Sequence, residues 1–131
     1  MKIAIATKDF SRISGHAGQA RRWLVYDTEA AGGEPERIEP ERIELARAQV
    51  FHHWEGRTDP HPLDGISMLI AGSAGDSFCT RMNERGIKVI LTGEPDAARA
   101  LSAVLKGETL PEPRFDPTIV ACRLIHSLFK H

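Results

Sequence analysis

The residues best placed for chemistry are His16 and its neighbours, in the stretch Gly15-His16-Ala17-Gly18-Gln19-Ala20-Arg21-Arg22-Trp23. Imidazole is the commonest protein metal ligand and ordinarily titrates near neutral pH. Here it sits in a glycine-flanked loop between two apolar runs, Ile3-Ala4-Ile5-Ala6 and Trp23-Leu24-Val25-Tyr26. Loops at the ends of strands are where α/β proteins place ligands. A metal-bearing ligand would meet a coordinating side chain at His16. Gly15 and Gly18 would allow close backbone approach, and Arg21 and Arg22 could supply compensating charge. For the two arginines the plainer reading is a solvated turn or strand start.

A second group is His52-His53-Trp54-Glu55, followed by Asp59, His61 and Asp64. Imidazoles and carboxylates this close can hold zinc or iron, although the spacing matches no established metal motif. The alternative is a solvated loop rich in histidine, with His61-Pro62-Leu63-Asp64 capping the next segment. A third feature is the turn Gly72-Ser73-Ala74-Gly75 before Asp76. Free amides at a helix start there, around Gly72 and Gly75, could support an anion. The plainer reading is a tight strand-to-helix turn, because neither a P-loop nor a dinucleotide fingerprint is present. Cys79 and Cys122 read as small buried hydrophobes, with no sign of a disulfide scaffold or cysteine zinc site. No Ser-His-Asp order and no Gly-x-Ser-x-Gly elbow appears, so nothing argues for an enzyme.

These residues must be positioned by a modest number of elements. The 131 residues suit one domain with a real core. The net charge of −1 lacks the basic excess of a nucleic-acid binder. No apolar run is long enough for a bilayer, the N-terminus reads as a strand rather than a signal peptide, and a reducing cytoplasm is expected. Strands are expected over Lys2–Thr7, Arg22–Thr28 and Arg37–Leu45, the last at an antiparallel edge with Pro40 interrupting. Strand, helix, strand and helix then follow: Gly65–Ala71, Asp76–Arg85, Ile87–Leu91 and Asp96–Leu105. Gly86 and Gly107 are placed to end the two helices. On the first helix Phe78, Cys79, Met82 and Arg85 share a face. Proline-rich residues 109–117 lead to a last helix, with Asp116 as N-cap, Pro117 at its first position and a stripe of Val120, Leu124, Ile125, Leu128 and Phe129.

The chain resembles the dinitrogenase iron–molybdenum cofactor biosynthesis family, of the NifX and NifB C-terminal-domain type. That family carries His-Phe-Gly-x-Ala-x-x-Phe between its first two strands, and this chain reads His16-Ala17-Gly18-Gln19-Ala20-Arg21-Arg22-Trp23. The later Met68-Leu69-Ile70-Ala71-Gly72-Ser73-Ala74-Gly75, Gly86-Ile87-Lys88-Val89 and Leu105-Lys106-Gly107 also fit its pattern. Ala17 departs from it, standing where the family has an aromatic ring.

The resemblance implies a ribonuclease-H-like α/β fold with a mixed sheet of about five strands, without nuclease activity. Residues 1–110 would form the carrier-like domain, and residues 111–131 a linker and an additional C-terminal helix. It implies non-enzymatic binding of an iron–sulfur or iron–molybdenum cofactor precursor as transient cargo, through His16 with help from His52, His53 and His61. The expected partners are nitrogenase cofactor assembly proteins or apo-nitrogenase, with room for a homodimer and no nucleic acid or membrane. The alternatives are a metal-free interaction or regulatory module and, more remotely, a metal-dependent hydrolase.

Overall fold

The computed structural model describes residues 1–29, 38–51 and 61–112. Five strands form one sheet in the order β3-β2-β1-β4-β5: β1 (Lys2–Thr7), β2 (Arg22–Asp27), β3 (Glu41–Glu44), β4 (Met68–Ala71) and β5 (Lys88–Leu91). β1 and β2 run antiparallel, as do β2 and β3, whereas β1, β4 and β5 are mutually parallel. Helix α1 (Asp76–Glu84) joins β4 to β5, and α2 (Ala97–Lys106) follows β5.

The side-chain alternation of β1 explains how both faces are covered. Ile3 and Ile5 point to one face and Ala4 and Ala6 to the other, as period-two geometry requires. The isoleucines pack with Leu24, Tyr26 and Ile70 against Ala97, Ala100 and Leu101 of α2. The alanines leave room on the opposite face for larger groups, namely Trp23, Phe51, Phe78 and Met82. One helix thus covers each face, and every β1 residue from Ile3 to Ala6 is fully buried.

The strands and helices expected before residue 110 are present, most of them with shorter ends. The third strand begins only after Pro40, whose missing N–H cannot join a ladder. β4 starts at Met68 because Gly65 turns the chain at φ 87°. Gly86 and Gly107 take φ of 77° and 71°, the left-handed conformation that ends helices. Asp96 caps α2 by accepting from the amides of Ala98 and Arg99 at 2.9 and 3.3 Å.

Two expectations are corrected. Arg85 does not share the buried face of Phe78, Cys79 and Met82: it is exposed at the C-cap, where the backbone has left helical geometry. Cys79 is buried as expected but is disulfide-bonded rather than a free thiol. Cys122 and the expected C-terminal helix lie outside the described residues. Among the described residues, no helix is long and apolar enough to cross a membrane.

Candidate functional site

β1, β4 and β5 are parallel, so their C-terminal ends share one edge of the sheet, the place where open α/β sheets hold ligands. The loop after β1 crosses that edge and is tied to the segments that follow β4 and β5. Ser14 N–H donates to Ala6 O at 2.8 Å, and Gly72 N–H donates to Ser14 O at 2.8 Å. Ala17 N–H donates to Ser73 O at 3.0 Å. On the other side, Ile13 N–H donates to Pro95 O and Ala97 N–H to Ser11 O, at 2.8 and 3.0 Å. The first half of the loop is closed by Asp9, whose carboxylate accepts from Arg12 and Ser11 amides at 2.8 and 3.0 Å. Those bonds hold the Asp9 carboxyl below its ordinary pKa. Phe10 takes φ 66° inside this turn, and the Arg42 guanidinium lies over its ring at 5.5 Å.

His16 sits at the crest of the tethered loop, exposed, at the N-cap of a 3-10 turn over Ala17–Gln19. Its backbone is extended at φ −139° and ψ 102°, and its side chain does not cap the turn. The ring instead meets Ser73 of the β4–α1 turn, with Oγ 3.3 Å from Nδ1. Ser73 Oγ also donates to the carbonyl of Gly15. Nε2 has no hydrogen-bond partner among the described residues.

The glycines expected at this site fall into distinct roles. Gly72 packs directly beneath the loop: a Cβ there would stand 2.9 Å from Ser14 O and 3.2 Å from Gly15 Cα. Gly15 and Gly75 face open space, and Gly18 lies over Phe78, whose Cδ2 would be 3.8 Å from an added Cβ. Ala17 is fully buried in the aromatic-lined core, so the position that carries a ring in the related pattern points inward here. Phe78, beside Gly18, supplies an aromatic wall under the loop instead.

The arginines are partly committed elsewhere. Arg21 Nε donates to Leu45 O at 3.4 Å. Arg22 pairs with Glu44 at 3.1 Å and donates to Lys8 O at 3.0 Å, tying β2 to β3 and to the start of the loop. Both remain exposed.

His61 plays a different part from the one expected. Leu63 N–H donates to its Nδ1 at 3.1 Å, so Nδ1 is the acceptor and Nε2–H donates to Gln49 O at 2.7 Å. Both ring nitrogens are used by backbone groups. The ring is buried and stacks on Phe51 at 4.8 Å between centroids, while Phe51 in turn meets Trp23 and Phe78 edge-on at 5.7 and 5.5 Å. His61 thus has a role in packing, one that spacing alone could not reveal. His52 and His53 lie outside the described residues. Among the described residues, no three His, Cys, Asp or Glu side chains converge as a metal-holding group. Sequence reasoning missed Ser73, a hydroxyl in a turn noticed only for its amides. The available signal was that the turn ends a strand parallel to β1.

The family described as dinitrogenase iron-molybdenum cofactor matches residues 1–107. A relative named Protein NifX, from Sinorhizobium fredii (strain NBRC 101917 / NGR234), is 26% identical over 113 residues, or 86% of this chain. The aligned region spans 61% of that relative's length. The crystal structure of PH0822 superposes with a TM-score of 0.60 at 19% identity, covering 84% of this chain and 94% of that one. The NMR structure of TM1290 from Thermotoga, placed in the DUF35 family, gives 0.57 at 21% identity, covering 88% and 96%. At these identities the two structures establish the shared fold. From its first strand through α2, the chain belongs to the dinitrogenase iron-molybdenum cofactor family.

Proposed function

We propose that this chain is a non-enzymatic carrier, binding an iron–sulfur precursor of the nitrogenase iron–molybdenum cofactor through His16 and handing it on. The observation that carries the reading is His16 itself: an exposed imidazole whose Nε2 has no hydrogen-bond partner among the described residues, on a loop tied by backbone bonds to the segments after β4 and β5. A single imidazole suits cargo that must be released, because one exchangeable ligand holds a cluster less firmly than a cage of thiolates. The donor set fits that role, since His16 offers nitrogen at the rim and the amides and glycines around it permit close approach. Arg21 and Arg22, exposed near the base of the same loop, favour an anionic guest. The sheet order supports a ribonuclease-H-like reading of the fold. The partners on this reading are cofactor assembly proteins or apo-nitrogenase.

The test is anaerobic incubation with a cluster donor, desalting, and visible absorbance of the protein fraction. The wild-type chain should retain the cluster chromophore. His16→Ala should lose affinity by at least about tenfold, since losing even a partner of a metal ligand costs that much. Equal retention by His16→Ala would refute the reading.

A further inference from the structure

We infer that the chain beyond α2 is a strap, latched by Thr92 to the loop between β5 and α2, and that this latch sets how firmly the His16 loop is held. The latch follows from counting protons. The backbone N–H of Glu94 donates to Thr92 Oγ1 at 3.1 Å, so the hydroxyl accepts there and keeps its own proton for another partner. That proton goes to the carbonyl of Pro111, at 2.8 Å. The N–H of Gly93 donates to the same carbonyl at 3.2 Å. Two donors at the end of β5 thus converge on one oxygen of the returning chain. Thr92 is 1% exposed, so water has little access to replace a bond it loses.

The strap itself buries little. Gly107 turns the chain out of α2 at φ 71°. Gly107, Glu108, Thr109, Pro111 and Glu112 are exposed, and Leu110 is partly buried against the cluster that α2 covers. A segment with so little apolar burial opens at lower cost than the sheet it rests on.

The loop that holds the strap also holds the His16 loop. Pro95 O accepts from Ile13 N–H at 2.8 Å, and Ala97 N–H donates to Ser11 O at 3.0 Å. Residues 92–97 are therefore gripped from two sides, by the strap and by the first half of the His16 loop. The second half of that loop rests on the β4–α1 turn, through the bonds from Gly72 to Ser14 and from Ala17 to Ser73. Releasing the strap should loosen the first support and spare the second. Thr92 is thus a positioning residue that acts on His16 through the loop between β5 and α2. This coupling stands whether or not His16 holds a cluster, so a failure of the carrier reading leaves it intact.

Site-resolved amide hydrogen exchange of the full chain, by NMR, is the test. Thr92→Val keeps the shape of the side chain and removes the hydroxyl. Exchange at Gly93 and Glu94 should quicken by about tenfold, as expected for loss of one buried hydrogen bond. Ile13 and Ala97 should quicken with them, while Ala17 and Gly72 keep their wild-type rates. Thr92→Ser should restore all four. Leu110→Ala loosens the strap from its own end, with residues 92–97 unaltered, and should quicken the same four amides. Quickening confined to Gly93 and Glu94 would overturn the coupling to the His16 loop. Equal quickening at Ala17 and Gly72 would mean general loosening and would overturn it too. Wild-type rates in both Thr92→Val and Leu110→Ala would overturn the latch.

Discussion

Replacing Gly72 with alanine tests whether the His16 loop rests on the β4–α1 turn as tightly as its geometry indicates. The added Cβ would stand 2.9 Å from Ser14 O, and ordinary contact begins at 3.4 Å, so the oxygen must retreat by 0.5 Å. That oxygen also accepts from Gly72 N–H at 2.8 Å, and a retreat of 0.5 Å would stretch this bond to 3.3 Å, past its normal range. The clash is with backbone, which cannot rotate away as a side-chain tip could. Overpacking of this kind costs about 1–3 kcal/mol. Loss of glycine's freedom in the unfolded chain offsets about 0.4–1 kcal/mol, because Gly72 is not in the left-handed region that alanine avoids. The net is about 1–2 kcal/mol of destabilisation. With a urea m-value of about 2 kcal/mol/M, the unfolding midpoint should fall by about 0.5–1 M. Gly15→Ala is the matched control, since an added Cβ there meets nothing within 4 Å and φ is again ordinary. Its midpoint should hold or rise. A Gly72→Ala midpoint equal to wild type, or an equal loss in Gly15→Ala, would refute the reasoning.

Two further outcomes follow from the packing. His61→Ala should cost about 2–4 kcal/mol, from two hydrogen bonds at about 0.5–1.5 each and the stack on Phe51. Thermal unfolding should show it, while cluster retention through His16 stays intact; the reverse pattern would place His61 in the metal site. Tyr26 is buried, and that burial, with the nearby Asp96 charge second, raises its pKa above 10.0. A raised folded-state value means this contribution to stability is fully present below the unfolded pKa and is lost as pH rises through the folded one. Because Tyr26 is the only tyrosine, ultraviolet titration of the native protein reports it alone. Ionisation at the ordinary pH, before any unfolding, would contradict its burial against α2.

Much of the scaffold was legible because its causes are local. The alternation in Ile3-Ala4-Ile5-Ala6 implies a strand buried on both sides, and the structure gives each face its own helix. Gly86 and Gly107 end helices because the left-handed conformation they adopt is costly for other residues. Arg85 was misread because a helical repeat extrapolated one residue too far runs past the C-cap, where the backbone changes direction. For His61, composition raised a metal site, while its two backbone hydrogen bonds and its stack on Phe51 were not legible from spacing.

By itself the sequence determined the five strands, the two described helices and the placing of His16 in a permissive loop, since each depends on residues only a few positions apart. The resemblance to the cofactor family was also readable there, in the order of short motifs. Only the tertiary structure decided what His16 can do. Ser73 lies 57 residues along the chain from it and meets it because β1 and β4 pair in parallel and end at the same edge. A hydrogen bond across that edge depends on strand order and register, which are global choices of the fold.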